Sequence, residues 1–138
     1  MTKPSGYIEF SEVDTTCSSA GPVFTKITES LQQSITSFGL NPGGATLISR
    51  WLKERYPDQL LNVHETIKKR PLGLWGGELG KLNYENSSAF FITMAPKLCK
   101  RLGLTKDEFL ELLSECKNSE WDQYQTKLNF IRVWAKKV

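Results

Sequence analysis

Apolar residues first fall into a regular rhythm after Val23. Phe24, Ile27, Leu31 and Ile35 recur at intervals of three and four, with Phe38 beyond, so they share one face of a helix ending near Gly39. Leu40-Asn41-Pro42-Gly43-Gly44 is a turn cluster. A second helix is predicted from about Ala45, with Leu47, Ile48, Trp51 and Leu52 inward and Arg50, Lys53 and Arg55 outward. Pro57 ends it and suits the first turn of a third helix, where proline lacks only an N–H that has no partner anyway. That third helix carries Leu60, Leu61, Val63 and Ile67 and runs into Lys68-Lys69-Arg70 before Pro71.

Residues 71–86 are irregular. Gly73, Gly76, Gly77 and Gly80 surround Trp75, and glycine opposes a helix by about 1 kcal/mol per residue. Asn86 or Ser87 caps the next segment, whose run Ala89, Phe90, Phe91, Ile92, Met94 reads as a buried helix or a short buried strand. Pro96 predicts a kink there, or a fresh helix. Thr105-Lys106-Asp107-Glu108 is a capping box, with Leu104 and Phe109 as its hydrophobic staple, opening a helix that buries Phe109, Leu112, Leu113 and Cys116. A last helix begins at Ser119-Glu120-Trp121-Asp122. It points Trp121, Tyr124, Leu128, Ile131 and Trp134 inward, has Phe130 widening that face, and is closed by Lys136 and Lys137. Residues 1–22, rich in Ser, Thr, Gly and Pro, read as an extended or disordered arm, although Tyr7-Ile8-Glu9-Phe10 has strand-like residues. The expected fold is therefore all-α: one compact bundle of five or six helices over 23–138, with a glycine-rich loop near 71–86.

A chain of 138 residues suits one domain. Its 39% apolar content and net charge of +3 exclude a disordered acidic tail and a collagen-like repeat. No apolar run reaches the roughly 18–20 residues of a membrane span, and the first residues lack a secretory apolar stretch, so a cytoplasmic protein is expected. Cys17, Cys99 and Cys116 are odd in number and widely spaced, without a CxxC pair, which predicts reduced thiols rather than disulfides. His64 is the single histidine and falls on a predicted helix. Zinc would need all four of these residues to converge without short ligand spacing, and a triad would need His64 itself. The sequence thus predicts no metal, no cofactor and no catalytic residues.

Three constellations bear on binding. Ala95 to Leu113 resembles the helix-turn-helix of DNA-binding regulators, with Cys99 four residues before the turn glycine Gly103 and Phe109 and Leu112 inward on the second helix. That helix, however, presents Asp107, Glu111 and Glu115 at i, i+4 and i+8, an acidic stripe that duplex phosphates repel. The second constellation is Lys68-Lys69-Arg70 leading into the glycine-rich loop with Trp75 and Lys81, where cations meet phosphate and an aromatic face meets a base. The third is the basic face Lys97, Lys100 and Arg101, which either extends that surface or pairs with the acidic stripe. The function expected is a non-catalytic helical binding module in a nucleoprotein context, contacting nucleic acid through Lys68, Lys69, Arg70, Trp75, Lys81, Lys97, Lys100 and Arg101. The alternative is a protein-directed adaptor or inhibitor that sets Asp107, Glu111 and Glu115 against a basic partner.

Overall fold

The computed structural model describes residues 2–138. Three strands, β1 (Tyr7–Ser18), β2 (Leu60–Pro71) and β3 (Lys127–Lys137), form one sheet in the order β1-β3-β2, with β3 antiparallel to both neighbours. Four helices accompany it: α1 (Pro22–Ser37), α2 (Ile48–Arg55), α3 (Gly77–Leu102) and α4 (Lys106–Glu115). The fold is mixed α/β, and the expectation of an all-α bundle is overturned at both β2 and β3.

Each misreading has a local cause. In β2, Leu60, Val63 and Ile67 are spaced like a helix face, but the odd interval comes from a bulge. One extra residue is inserted between Leu61 and His64, and Asn62 takes the left-handed conformation at φ 53°. Beyond the bulge, His64, Thr66, Lys68 and Arg70 alternate cleanly with Glu65, Ile67 and Lys69. In β3 the strand is covered on different faces along its length. Leu128 is buried by the helical core, whereas Ile131, Val133 and Ala135 are buried on the opposite face, where Leu52 and Ile48 of α2 pack on Ile131 and Val133. Superposing the two sets imitates a helical interval of three. The β-branched and aromatic residues Phe130, Ile131, Val133 and Trp134 suit the pleat better than a helix.

α3 runs unbroken through Pro96, which is exposed and lies in the C-terminal half of the helix. The glycines before it do not prevent the helix; they let it dock. A Cβ on Gly80 would overlap the Gly73 carbonyl oxygen, so the first turns of α3 sit directly on the 71–76 backbone, where the Gly73 N–H donates to the Gly80 carbonyl at 3.3 Å. The αα-hairpin between α3 and α4 forms as the sequence dictates. Gly103 ends α3 at φ 69°, and Thr105 and Glu108 make both halves of the capping box.

The main core joins α1, α3 and α4 to the adjoining end of the sheet through Phe24, Ile27, Leu31, Leu72, Phe91, Leu98, Phe109, Leu113, Trp121 and Leu128. Phe24 meets Phe91 and Trp121 edge-on at 5.5 and 5.2 Å. After α4 the chain widens into a π turn, Cys116–Glu120, that turns both Cys116 and Glu120 inward. Glu120 is 5% exposed, and its carboxylate accepts from the N–H groups of Val23 and Phe24 at 2.9 and 2.7 Å. It supplies the cap that the N-cap residue of α1, Gly21, cannot.

Candidate nucleic-acid interface

The register of the sheet decides which side chains stand together. Cross-strand partners point to the same face, so Phe130, Arg132, Trp134 and Lys136 of β3 share a face with Val13, Ser11, Glu9 and Tyr7 of β1. On the other side of β3 they adjoin Lys68, Thr66 and His64 of β2. The opposite face of β3 is the one packed by α2. The shared face stays open: Tyr7, Glu9, Ser11, His64, Lys68 and Arg132 are exposed, and Trp134, Phe130 and Lys136 are half-buried. A shallow groove of about 320 Å³ runs across it, lined by Lys68, Arg70, Phe130, Arg132 and Trp134 among others.

Within the face the aromatics and cations are already ordered. The His64 ring stacks on Trp134 with centroids 5.2 Å apart and planes 20° from parallel. The Arg132 guanidinium lies 5.4 Å from the Trp134 centroid. Arg132 also reaches Glu9 across the strands at 2.6 Å, and that hydrogen bond, together with the cation's field, holds the Glu9 carboxyl below its ordinary value and raises that of Arg132. This leaves Lys68, Arg70 and Lys136 as the cations of the face without an acidic partner, since the ion pairs among the described residues are Arg132–Glu9 and Arg50–Glu54.

The residues singled out from sequence separate. Lys68 and Arg70 stand on the open face, whereas Lys69 alternates to the other side of β2. Trp75 is half-buried; its Nε1–H donates to the Leu72 carbonyl at 3.1 Å and its ring lies under the Lys127 ammonium at 5.8 Å. Lys81 is exposed early on α3. Lys97, Lys100 and Arg101 edge a separate groove against α1, where Lys97 lies 4.8 Å from the Phe38 ring centroid and Arg101 donates to Ser34 Oγ at 3.1 Å. None of the three pairs with the acidic stripe: Asp107, Glu111 and Glu115 are exposed on α4 without an ion pair among the described residues. The sequence reading turns Trp134 and Phe130 inward on a helix and does not bring His64, Arg132 or Lys136 into a binding surface. The signal available was the strict alternation of Phe130, Arg132, Trp134 and Lys136 with Ile131, Val133 and Ala135.

His64 lies on a strand beside Trp134 rather than on a helix. Cys17, Cys99 and Cys116 are free thiols, the first two half-buried and the third buried. Among the described residues no group of three or more His, Cys, Asp or Glu is placed to hold a metal ion, and no helix is long and apolar enough to cross a membrane. No known protein family, curated protein or solved structure matches the chain.

Proposed function

We propose that this protein is a non-catalytic binding module that holds single-stranded nucleic acid on the open face of its sheet, as part of a larger nucleoprotein assembly. The observation that carries this reading is the row Phe130, Arg132, Trp134 and Lys136 with His64, Lys68 and Arg70 alongside: aromatic and cationic side chains on one open face. Every base has a π face, so such a platform accepts single strands with little regard to sequence, and each stacked base contributes about 1–3 kcal/mol. The exposed His64 ring extends the Trp134 stack outward for a base, while Lys68, Arg70 and Lys136 meet phosphates. Strand geometry sets Phe130 and Trp134 about 13 Å apart, a footprint of a few nucleotides.

A duplex fits this surface poorly. The major groove admits a helix or a narrow β-ribbon, and the helix nearest in pattern to a reading helix, α4, exposes Asp107, Glu111 and Glu115. Those three unpaired carboxylates also favour a second reading, a protein-directed module docking on a basic partner.

Fluorescence anisotropy with labelled dodecamers of oligo(dT) and oligo(rU), against a duplex of equal length, tests the first reading. Single strands should bind more tightly than duplex, with log K falling against log salt at a slope of about −2 if three phosphates are neutralised. Trp134→Ala should weaken binding about 5- to 100-fold, and Lys68→Glu with Arg70→Glu should abolish it. Equal affinity for duplex, or an unaffected Trp134→Ala variant, would contradict the proposal. Binding to a basic protein that is lost on reversing Asp107, Glu111 and Glu115 would favour the second reading.

A further inference from the structure

β2 forms one border of the sheet, so the backbone groups along its far side have no strand beside them. Among the described residues nothing else takes that place. No backbone hydrogen bond from outside the sheet reaches residues 61–70, and the Asn83 amide bonds the Pro71 carbonyl, one residue beyond. A bare strand edge is a template for another strand. The small core under α2 takes in Leu60 and Val63, at the start of β2, and leaves the rest uncovered. Glu65, Ile67 and Lys69 are exposed there, and Ile67 is 53% exposed although its cross-strand partner Ile131 is buried.

The regular part of this edge is short and has a definite middle. It begins at His64, after the bulge, and stops at Arg70, because Pro71 has no N–H to offer a neighbour. Ile67 is its midpoint, and the side chains are complementary to themselves about that point. Glu65 and Lys69 stand two residues to either side of Ile67 on the same face. When two copies run antiparallel with Ile67 opposite Ile67, Glu65 of each meets Lys69 of the other. On the open face Thr66 then meets Lys68 and His64 meets Arg70, so no lysine opposes a lysine. Moving the centre to Lys68 sets lysine on lysine, and moving it to Thr66 puts Glu65 against Ile67 and Lys69 against Val63. β1, the other border, carries Glu9, Glu12 and Asp14 but no cation, so pairing with itself yields no ion pair.

We propose that a second copy of this chain pairs with β2 along residues 64–70, antiparallel and two-fold symmetric about Ile67. The axis stands perpendicular to the sheet, so the two open faces stay on one side and the two three-stranded sheets become one. The paired stretch is short, which makes the dimer weak, with a Kd on the order of 0.1 mM. Glu65 and Lys69 lie on the face turned away from the one proposed for nucleic acid, so this pairing and that reading stand or fail separately.

Sedimentation equilibrium from about 10 µM to about 1 mM protein, at low salt and without oligonucleotide, tests it and should show a monomer–dimer equilibrium. Glu65→Lys or Lys69→Glu alone sets like charges opposite each other at two symmetric places and should weaken the dimer about tenfold or more. The double variant Glu65→Lys with Lys69→Glu restores both pairs with their signs exchanged and should return the Kd to within about threefold of the native chain. Both side chains are exposed, so the melting temperatures of dilute variants should match that of the native chain. In the native chain, amide exchange should slow with concentration within residues 64–70 and not in β1. A monomer at every concentration, single reversals without effect, or a double variant as weak as either single one would overturn the proposal. So would protection confined to β1, or open-ended oligomers, which mark a head-to-tail contact between β1 and β2.

Discussion

Glu120 offers the sharpest test of how this fold is held. Pro22 opens α1 without an N–H, and Gly21 has no side chain to cap it, so the first two donors of the helix are those of Val23 and Phe24. Both donate to a single carboxylate from a residue about one hundred positions later in the chain, and Phe24 is fully buried. In Glu120→Ala these two N–H groups lose their acceptor in a place water reaches poorly. Leaving a buried donor unsatisfied costs about 1–3 kcal/mol, so the pair gives about 3–5 kcal/mol once the favourable charge at the helix N-terminus is also lost. Domains of this size have a total stability of about 5–15 kcal/mol, and the melting temperature should fall by about 10–20 °C. Glu120→Gln keeps one acceptor oxygen and should lose about half as much.

A coupled variant isolates the cap. A Cβ on Gly21 would overlap the Glu120 carboxylate, so Gly21→Ala should destabilise the native chain yet cost little in the Glu120→Ala background. Thermal melts followed by far-ultraviolet circular dichroism, with urea titrations for the free energies, measure all five proteins. A loss below about 1 kcal/mol in Glu120→Ala would show that α1 does not depend on this long-range cap.

Gly80→Ala, which would strengthen an ordinary helix by about 1 kcal/mol, should instead destabilise this one by about 1–3 kcal/mol in urea titrations, through the clash with the Gly73 carbonyl. Cys17 and Cys116, both pushed up to about 12 chiefly by burial, should resist iodoacetamide at pH 8 in the folded protein, as read by mass spectrometry; their folded values are raised above the usual 9.0, so their contribution to stability is level below pH 9 and declines between pH 9 and 12. Glu9 titrates below its usual 4.5 because Arg132 binds it, so its contribution is present above that value and lost as pH falls through the lowered one; Arg132→Ala should return Glu9 toward 4.5 in an NMR titration, and salt should erode the difference because both groups are exposed.

How much of this was legible depended on whether the deciding contact was local. The α1 stripe and the Thr105–Glu108 capping box are written within a few residues of one another, and both formed as read. Asn62 and the bulge it accommodates shifted the phase of β2, and the change of covered face along β3 did the same there, so a period of two passed for a period of three or four. Pro96 and the glycines before α3 illustrate a different limit. Their local preference opposed a helix, but docking on the 71–76 backbone and burial of Phe91, Ala95 and Leu98 outweighed it. For the candidate site, Lys68 and Arg70 were visible as a basic run, but the partners that give them meaning, Trp134 and Arg132, lie more than sixty residues away. Only the antiparallel register joins them, and register is a property of the assembled sheet.

We propose that single-stranded nucleic acid lies on the open face of the sheet. Amide-shift mapping of the labelled protein during titration with an oligo(dT) or oligo(rU) dodecamer asks this residue by residue. Saturable shifts are expected to concentrate at Phe130 to Lys136 of β3 and at His64 to Arg70 of β2, with the indole signal of Trp134 moving furthest. Shifts confined to α4 or to Lys97, Lys100 and Arg101, or no shifts at millimolar oligonucleotide, would contradict it.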